Sequence, residues 1–356
     1  MTSPSPSPDA TAPAKARSRD LAMDSAAGIL ICLVVFGHAI APLDSRVVET
    51  VEQWLYMFHM PAFVFVSGYL TRYSRTWSPV RLVLRLGFPY VVFSVIHALE
   101  LAALTGEPVS VTLLNPDWTL WYLLALLAWR LAAPLLRVDQ WMVIVTVLVA
   151  LIAGVFPILD TTLSAQRIFG FAPFFTLGLV WKDQWWRYVR NWPVRFAALA
   201  AFAGAFVWSW FTEDEVSRRI FFLHVGYEDL GHPEWYGMIV RFLVITVGGL
   251  LALGLLSWMS SSYKLMTGIG AATLPVYLLH PLFLYPGRED GYQFPFDDTV
   301  ALVVLALASC LFAYVFSRPF MVALVRPFMD YTFWRDLGRR AVGRRRQEAP
   351  QDADTP

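Results

Sequence analysis

The chain has 356 residues, 57% of them hydrophobic and 15% charged, and 28 Lys and Arg against 27 Asp and Glu leave a formal charge of +1. A soluble domain is nearer half apolar and a quarter charged, so this composition excludes that class and indicates an integral membrane protein. The basic residues sit beside apolar runs, where membrane orientation accounts for them, and nothing indicates a nucleic-acid partner. Cys32 and Cys310 both lie inside apolar runs, so neither a disulfide framework nor a metal site is expected.

Residues 1–18, rich in Pro, Ser and Ala, read as a disordered cytoplasmic tail. The next stretch, RDLAMDSAAGILICLVVFGH from Arg19 to His38, opens with charge, becomes continuously apolar from Ile29 to Phe36 and ends on Gly37-His38. Ala39-Ile40-Ala41 imitates a signal-peptide cleavage site, but Asp20 and Asp24 stand where such peptides are basic, so this run is read as a retained helix. It is the first of about ten segments approaching the roughly 20 residues that a membrane helix needs. The others lie near 50–70, 82–104, 118–136, 141–159, 167–182, 194–211, 237–259, 267–285 and 299–320. The expected fold is all-α, a polytopic membrane helix bundle of about ten spans in one domain over residues 19–325. A tail over residues 326–356, basic and then polar, follows it.

Loop charge orients the bundle. With the N-terminus in the cytoplasm, inner connections carry Arg72, Arg75 and Arg81, then Arg137, then Lys182, Arg187, Arg190 and Arg195, then Lys264. Outer connections are acidic or sparse, with Arg46, Arg218, Arg219 and Arg288 as the main exceptions. An even number of spans puts both termini in the cytoplasm and the protein in the plasma membrane, with the lipid bilayer as its solvent.

Ionisable groups inside the spans are costly, and several at one depth point to a polar cavity. His38 lies toward the outer end of span one and His59 in the outer part of span two. Arg167 opens span six, Arg241 begins span eight and His280 sits late in span nine. Each has a plainer reading: membrane histidines commonly hydrogen-bond between helices, and an arginine near a helix end can snorkel. Pro61, Pro173, Pro275 and Pro281 can act simply as helix kinks. His97 and Glu100 read as interfacial or mutually paired, and His224 and His232 as solvated loop residues. The outer loop from Thr212 to Tyr236 suits either a sugar-recognition element or a plain surface connection.

Four pieces together resemble the acyltransferase 3 family, particularly its branch similar to fucose 4-O-acetylases. They are Arg19-Asp20 and Asp24 leading to LVVFGH; FHMPAFVFVSGYL from Phe58; QRIFGFAPFFTLG from Gln166; and LPVYLLHPLF from Leu274. The resemblance runs from about residue 19 to 320. It implies an enzyme that takes an acyl group, commonly acetyl, from cytoplasmic acyl-CoA and transfers it to a hydroxyl, often on a sugar, at the extracytoplasmic side.

By the same resemblance His38 is the catalytic base; His59 and Arg167, from their placement in the spans alone, are further catalytic candidates, with orientation of His38, oxyanion stabilisation and acceptor binding as the open roles. His280 and Arg241 are candidates for binding a carbohydrate or glycosylated acceptor. Arg72, Arg75, Arg81 and Arg85 are candidates for the CoA phosphates. One departure concerns the donor: the family usually has Arg or Lys eleven residues before the histidine, where this chain has Ala27. Arg85 or Arg130 are the candidate replacements. A transporter of an acylated metabolite and a catalytically inactive binding relative are the competing readings.

Overall fold

In the computed structural model, the described residues are 20–74, 77–116, 118–231, 233–292 and 294–347. Arg19, Arg75, His232 and the expected 1–18 tail lie outside them. Each of the ten expected segments contains helix, and no strand occurs among the described residues. The helices are α1 (Leu21–Ile40), α2 (Arg46–Tyr56), α3 (His59–Thr71), α4 (Pro79–Thr105), α5 (Trp121–Leu136), α6 (Met142–Ala153) and α7 (Ala165–Val180). They continue with α8 (Trp192–Thr212), α9 (Glu234–Ser257), α10 (Lys264–Gly270), α11 (Thr273–Asp290), α12 (Asp298–Phe316), α13 (Pro319–Met329) and α14 (Tyr331–Gln347).

Five of these, α1, α4, α8, α9 and α12, are long and apolar enough to cross a membrane, and α10 with α11 makes a sixth although bent by 77°. Two of the ten expected segments are divided in the structure. Span two divides into α2 and α3, and span nine into α10 and α11. Both breaks have the same cause. Pro61 and Pro275 stand in the first turns of α3 and α11, where the missing N–H cannot bond back into the preceding helix. The remaining apolar helices α5, α6, α7 and α13 are shorter. A helix such as α7, with 16 residues, rises about 24 Å against a hydrocarbon core of roughly 30 Å. It packs among α3, α5 and α6, so its flanks meet protein.

The lipid-facing and protein-facing helices separate clearly. On α8, Phe196, Leu199, Val207 and Phe211 are exposed, as are Val303, Leu307 and Leu311 on α12. In contrast, α1 and α3 are buried along most of their length. Asp20 starts α1 by accepting from the Ala22 and Met23 amides at 3.1 and 3.2 Å. Its other carboxylate oxygen accepts from the Tyr69 hydroxyl of α3 at 2.9 Å, which ties the two helices at one end.

Two close crossings fix the centre. Where α3 meets α7, Gly68 faces the Phe175 carbonyl and Gly178 faces the Phe65 carbonyl; where α1 meets α10, Gly28 faces the Met266 carbonyl and Gly270 the Asp24 carbonyl. A methyl group at any of the four would collide with backbone, which has no rotamer to retreat into. Small residues that admit this approach are a usual basis of helix association in membranes, where lipid offers no hydrophobic drive. We expect Gly68→Ala and Gly178→Ala to lower the thermal midpoint in detergent, through overpacking of about 1–3 kcal/mol. Gly204→Ala on α8, where nothing lies within 4 Å of the added methyl, serves as the control and leaves the midpoint level or higher.

Candidate active site

At the α2–α3 break, several of the ionisable residues expected at one depth converge. A cavity of about 110 Å³ is lined by His38 from α1, Tyr56 and His59 from the α2–α3 break, Trp118 and Trp121 at the start of α5, and Arg167 and Phe171 from α7. The break between α2 and α3 is what turns His59 into this space. His59 Nδ1 donates to the Leu55 carbonyl at 2.8 Å, which fixes the ring and leaves Nε2 as the nitrogen free of this bond. Arg167 lies over the Trp121 ring, 4.9 Å from its centroid. This position holds a cation without neutralising it.

His280 completes the cluster from behind. Its ring stacks on that of His38 with centroids 5.4 Å apart, and its Nδ1 pairs with the Val276 carbonyl at 3.3 Å. Trp118 meets His38 edge-on from another side at 5.1 Å. The structure thus brings His38, His59 and Arg167 to one cavity and puts His280 directly against His38.

A second, larger cavity of about 470 Å³ lies on the other side of this cluster. Ala27, Ser67, Arg85, Tyr122, Arg130, Tyr277 and the segment from Gly270 to Pro275 line it. Tyr277 stands between the two spaces, 6.0 Å from His280 and 5.7 Å from Tyr122 between ring centroids. Its hydroxyl donates to the Thr119 carbonyl, while the Tyr122 hydroxyl bonds Ser67 Oγ at 2.5 Å. Ala27 and the two arginines expected to replace its missing cation therefore share one wall system.

The remaining candidates go elsewhere. The Arg72 guanidinium is held by Asp183, the Trp181 carbonyl and the Tyr73 hydroxyl, over the Tyr69 ring, beside a separate surface pocket. Arg81 is exposed on the first turn of α4 and is not among the lining of either cavity. Arg241 is buried and donates to the Ala150 carbonyl at 3.1 Å, Gln166 Oε1 at 3.0 Å and the Val225 carbonyl at 2.7 Å. It joins α6, α7, α9 and the 213–231 loop, a structural task away from His38.

Sequence reasoning missed Tyr56, Trp118, Trp121 and Tyr277, because aromatic residues near span ends are ordinarily interfacial anchors. It also left the 212–236 loop undecided. Phe221 and Phe222 of that loop close the His38 cavity. Ion pairs strap the loop down, with Arg218 on Glu52 and Arg46 on Glu213 at 2.5 Å, which accounts for two of the four basic exceptions to the expected charge pattern and leaves Arg219 and Arg288. His224, expected to be solvated, is partly buried beside this strap. Burial, reinforced by Arg167 and Arg219, holds its pKa down to about 4 from the ordinary 6.5.

The class is that of multispanning membrane acyltransferases. The chain belongs to the acyltransferase 3 family: the family model described as an acyltransferase domain matches residues 20–318. Nodulation protein NolL of Mesorhizobium japonicum is 44% identical over 59 residues, 15% of this chain and 16% of that protein. Nodulation protein NolL of Sinorhizobium fredii is 30% identical over 189 residues, 47% of this chain and 50% of that protein. The chain spans half or less of the length of these relatives in either alignment. No solved structure matches it.

Two outcomes follow from this geometry. Arg241→Met leaves buried carbonyls and Gln166 without their donor, so the thermal midpoint falls by the equivalent of about 2–5 kcal/mol while the KM for acyl donor is unmoved. His224 binds a proton in the unfolded chain below pH 6.5 but in the fold only near pH 4, so stability drops as the pH falls through that window. His224→Gln should reduce that part of the pH dependence in a thermal-shift series.

Proposed function

We propose that the protein transfers an acyl group, acetyl in the first instance, from cytoplasmic acyl-CoA to a hydroxyl of an extracytoplasmic glycan or glycosylated product. The observation that carries this reading is the run of ring contacts from one cavity to the other: His38 lines the smaller, stacks on His280, and His280 lies beside Tyr277, which lines the larger. The larger one has the cations that a CoA phosphate needs, Arg85 and Arg130. The smaller one has a base and a cation within a single enclosed space. From Ala27 to His38 the distance along α1 is about 16 Å, a length suited to an extended pantetheine arm.

In this reading neutral His38 accepts the proton of the acceptor hydroxyl while its oxygen attacks the thioester carbonyl carbon. The electron pair moves to the carbonyl oxygen, where the Arg167 guanidinium offers the countercharge. Collapse of the tetrahedral species breaks the C–S bond. The departing thiolate takes the proton from the His38 imidazolium, which yields the ester and free CoA thiol and returns His38 to its neutral form. Direct attack needs no acyl-enzyme, so no serine or cysteine nucleophile is required. Nε2 of His59, free of the Leu55 bond, is the nitrogen offered to a second acceptor hydroxyl. Arg85 and Arg130 take the role of the cation absent at position 27, and the basic residues of alternate connections support a reading with both termini in the cytoplasm.

Purified protein in detergent, given radiolabelled acetyl-CoA and a saccharide panel, tests the reading. His38→Ala should reduce transfer by at least about 100-fold with an unchanged thermal midpoint. Near-normal turnover in that variant would make His38 structural. Arg130→Ala should raise the KM for acetyl-CoA by about ten-fold or more, as expected for the loss of a charge-assisted contact, while the acceptor KM stays level.

A further inference from the structure

The His38 cavity, at about 110 Å³, is far below the roughly 300–1,000 Å³ of ordinary small-molecule sites. It admits the reacting end of an acceptor and little more. A second space adjoins it. A groove of about 250 Å³ lies between the outer half of α4 and the 106–118 loop, and Trp118 lines both this groove and the His38 cavity. The two together exceed the lower bound for a ligand site.

We propose that this groove holds the glycosyl body of the acceptor and delivers one hydroxyl past Trp118 to His38. The inference rests on the acyltransferase reading above and assigns its acceptor subsite. Three observations support it. First, the polar side chains of the groove are Ser94, Ser110, Thr112 and Asn115, and no charged side chain is among its described lining. Ser94 and Thr112 donate to the Tyr90 and Asn115 carbonyls, which leaves their hydroxyl lone pairs, together with the Asn115 amide, to bond the hydroxyls of a polyol. Trp118 adds an aromatic wall common to the groove and the His38 cavity.

Second, the groove is built and held. The Tyr90 hydroxyl donates to the Leu113 carbonyl at 2.6 Å, the Leu163 amide donates to the Leu114 carbonyl at 2.6 Å, and Thr112 Oγ1 donates to the Asn115 carbonyl at 3.0 Å. Third, Trp118 is held in a costly conformation. Its φ of 26° is in the left-handed region that a bulky side chain rarely adopts, and the Arg288 guanidinium lies 4.7 Å above its ring. Tyr285 packs against the same ring at 5.2 Å. The shared wall is thus fixed by two side chains of α11 and meets the His38 ring of α1 edge to face.

The full-length protein tests this without knowledge of the natural acceptor. In a Cys310→Ser background, which removes the exposed native thiol, Asn115→Cys is labelled with a maleimide. Methyl hexopyranosides should slow the labelling, while glycerol and acetyl-CoA should not. Independently, Ser94→Ala and Asn115→Ala should each raise the saccharide KM by about ten-fold and hold kcat within about two-fold, as for lost ground-state hydrogen bonds. The acetyl-CoA KM should not move. Protection by hexopyranosides without release of CoA thiol would keep the groove and overturn the acyltransfer reading. Absence of protection across the hexopyranosides, or transfer with an unaltered saccharide KM in both variants, would overturn the groove.

Discussion

The close approach of backbone to backbone at Gly28 with Gly270, and at Gly68 with Gly178, is the constraint on which the remaining structure depends. These crossings bring α1 against α10 and α3 against α7 near the middle of the bundle. His38, His59 and Arg167 ride on α1, α3 and α7, and His280 on α11, directly beyond α10. The two glycine pairs therefore set α3 against α7, and with them His59 and Arg167, and set α1 with His38 against the helix that leads into α11. Because lipid supplies no hydrophobic drive between helices, the precision of the site rests on dispersion across these contacts.

Much of this was legible in the sequence, but unevenly. Apolar runs disclosed the ten segments up to residue 320, since the bilayer demands length and hydrophobicity together, but not α13 and α14, which lie beyond them. His38, His59 and Arg167 stood out because charge inside an apolar run needs a reason. The breaks before His59 and Thr273 were hidden, although Pro61 and Pro275 mark them, because a proline inside a membrane run reads equally well as a kink. Trp118 and Tyr277 were invisible as site residues for a different reason. In a chain with 15 Trp and 14 Tyr, aromatic residues at span ends carry no distinguishing signal until the partners across the bundle are known. Arg72 and Arg241 illustrate the converse. Their charge was legible, yet the carboxylate and carbonyls that occupy each guanidinium come from segments far away in the chain.

Backbone strain follows the site. Trp118, Leu163, Ser164 and Leu223 are the non-glycine residues with left-handed φ among those described. Trp118 lines the His38 cavity, Leu223 follows Phe222 in its roof, and Leu163 and Ser164 directly precede the helix that carries Arg167. Strained residues persist where the surroundings over-determine them, and such places are commonly where a ligand is gripped. Here all three loops that enclose the cavity are fastened elsewhere, by ion pairs or by main-chain hydrogen bonds, which stabilises conformations the isolated segments would leave.

The break between α10 and α11 has an electrical consequence. Residues 270–275 line the larger cavity, so the start of α11 opens onto it. The first amides of a helix have no intrahelical partner, and together they act as roughly half a positive charge. An anion entering that cavity meets this backbone field in addition to Arg85 and Arg130. Unlike a lysine at position 27, the field has no pKa, no rotamer and no codon of its own. It persists through side-chain substitution and disappears only if the helix is made continuous.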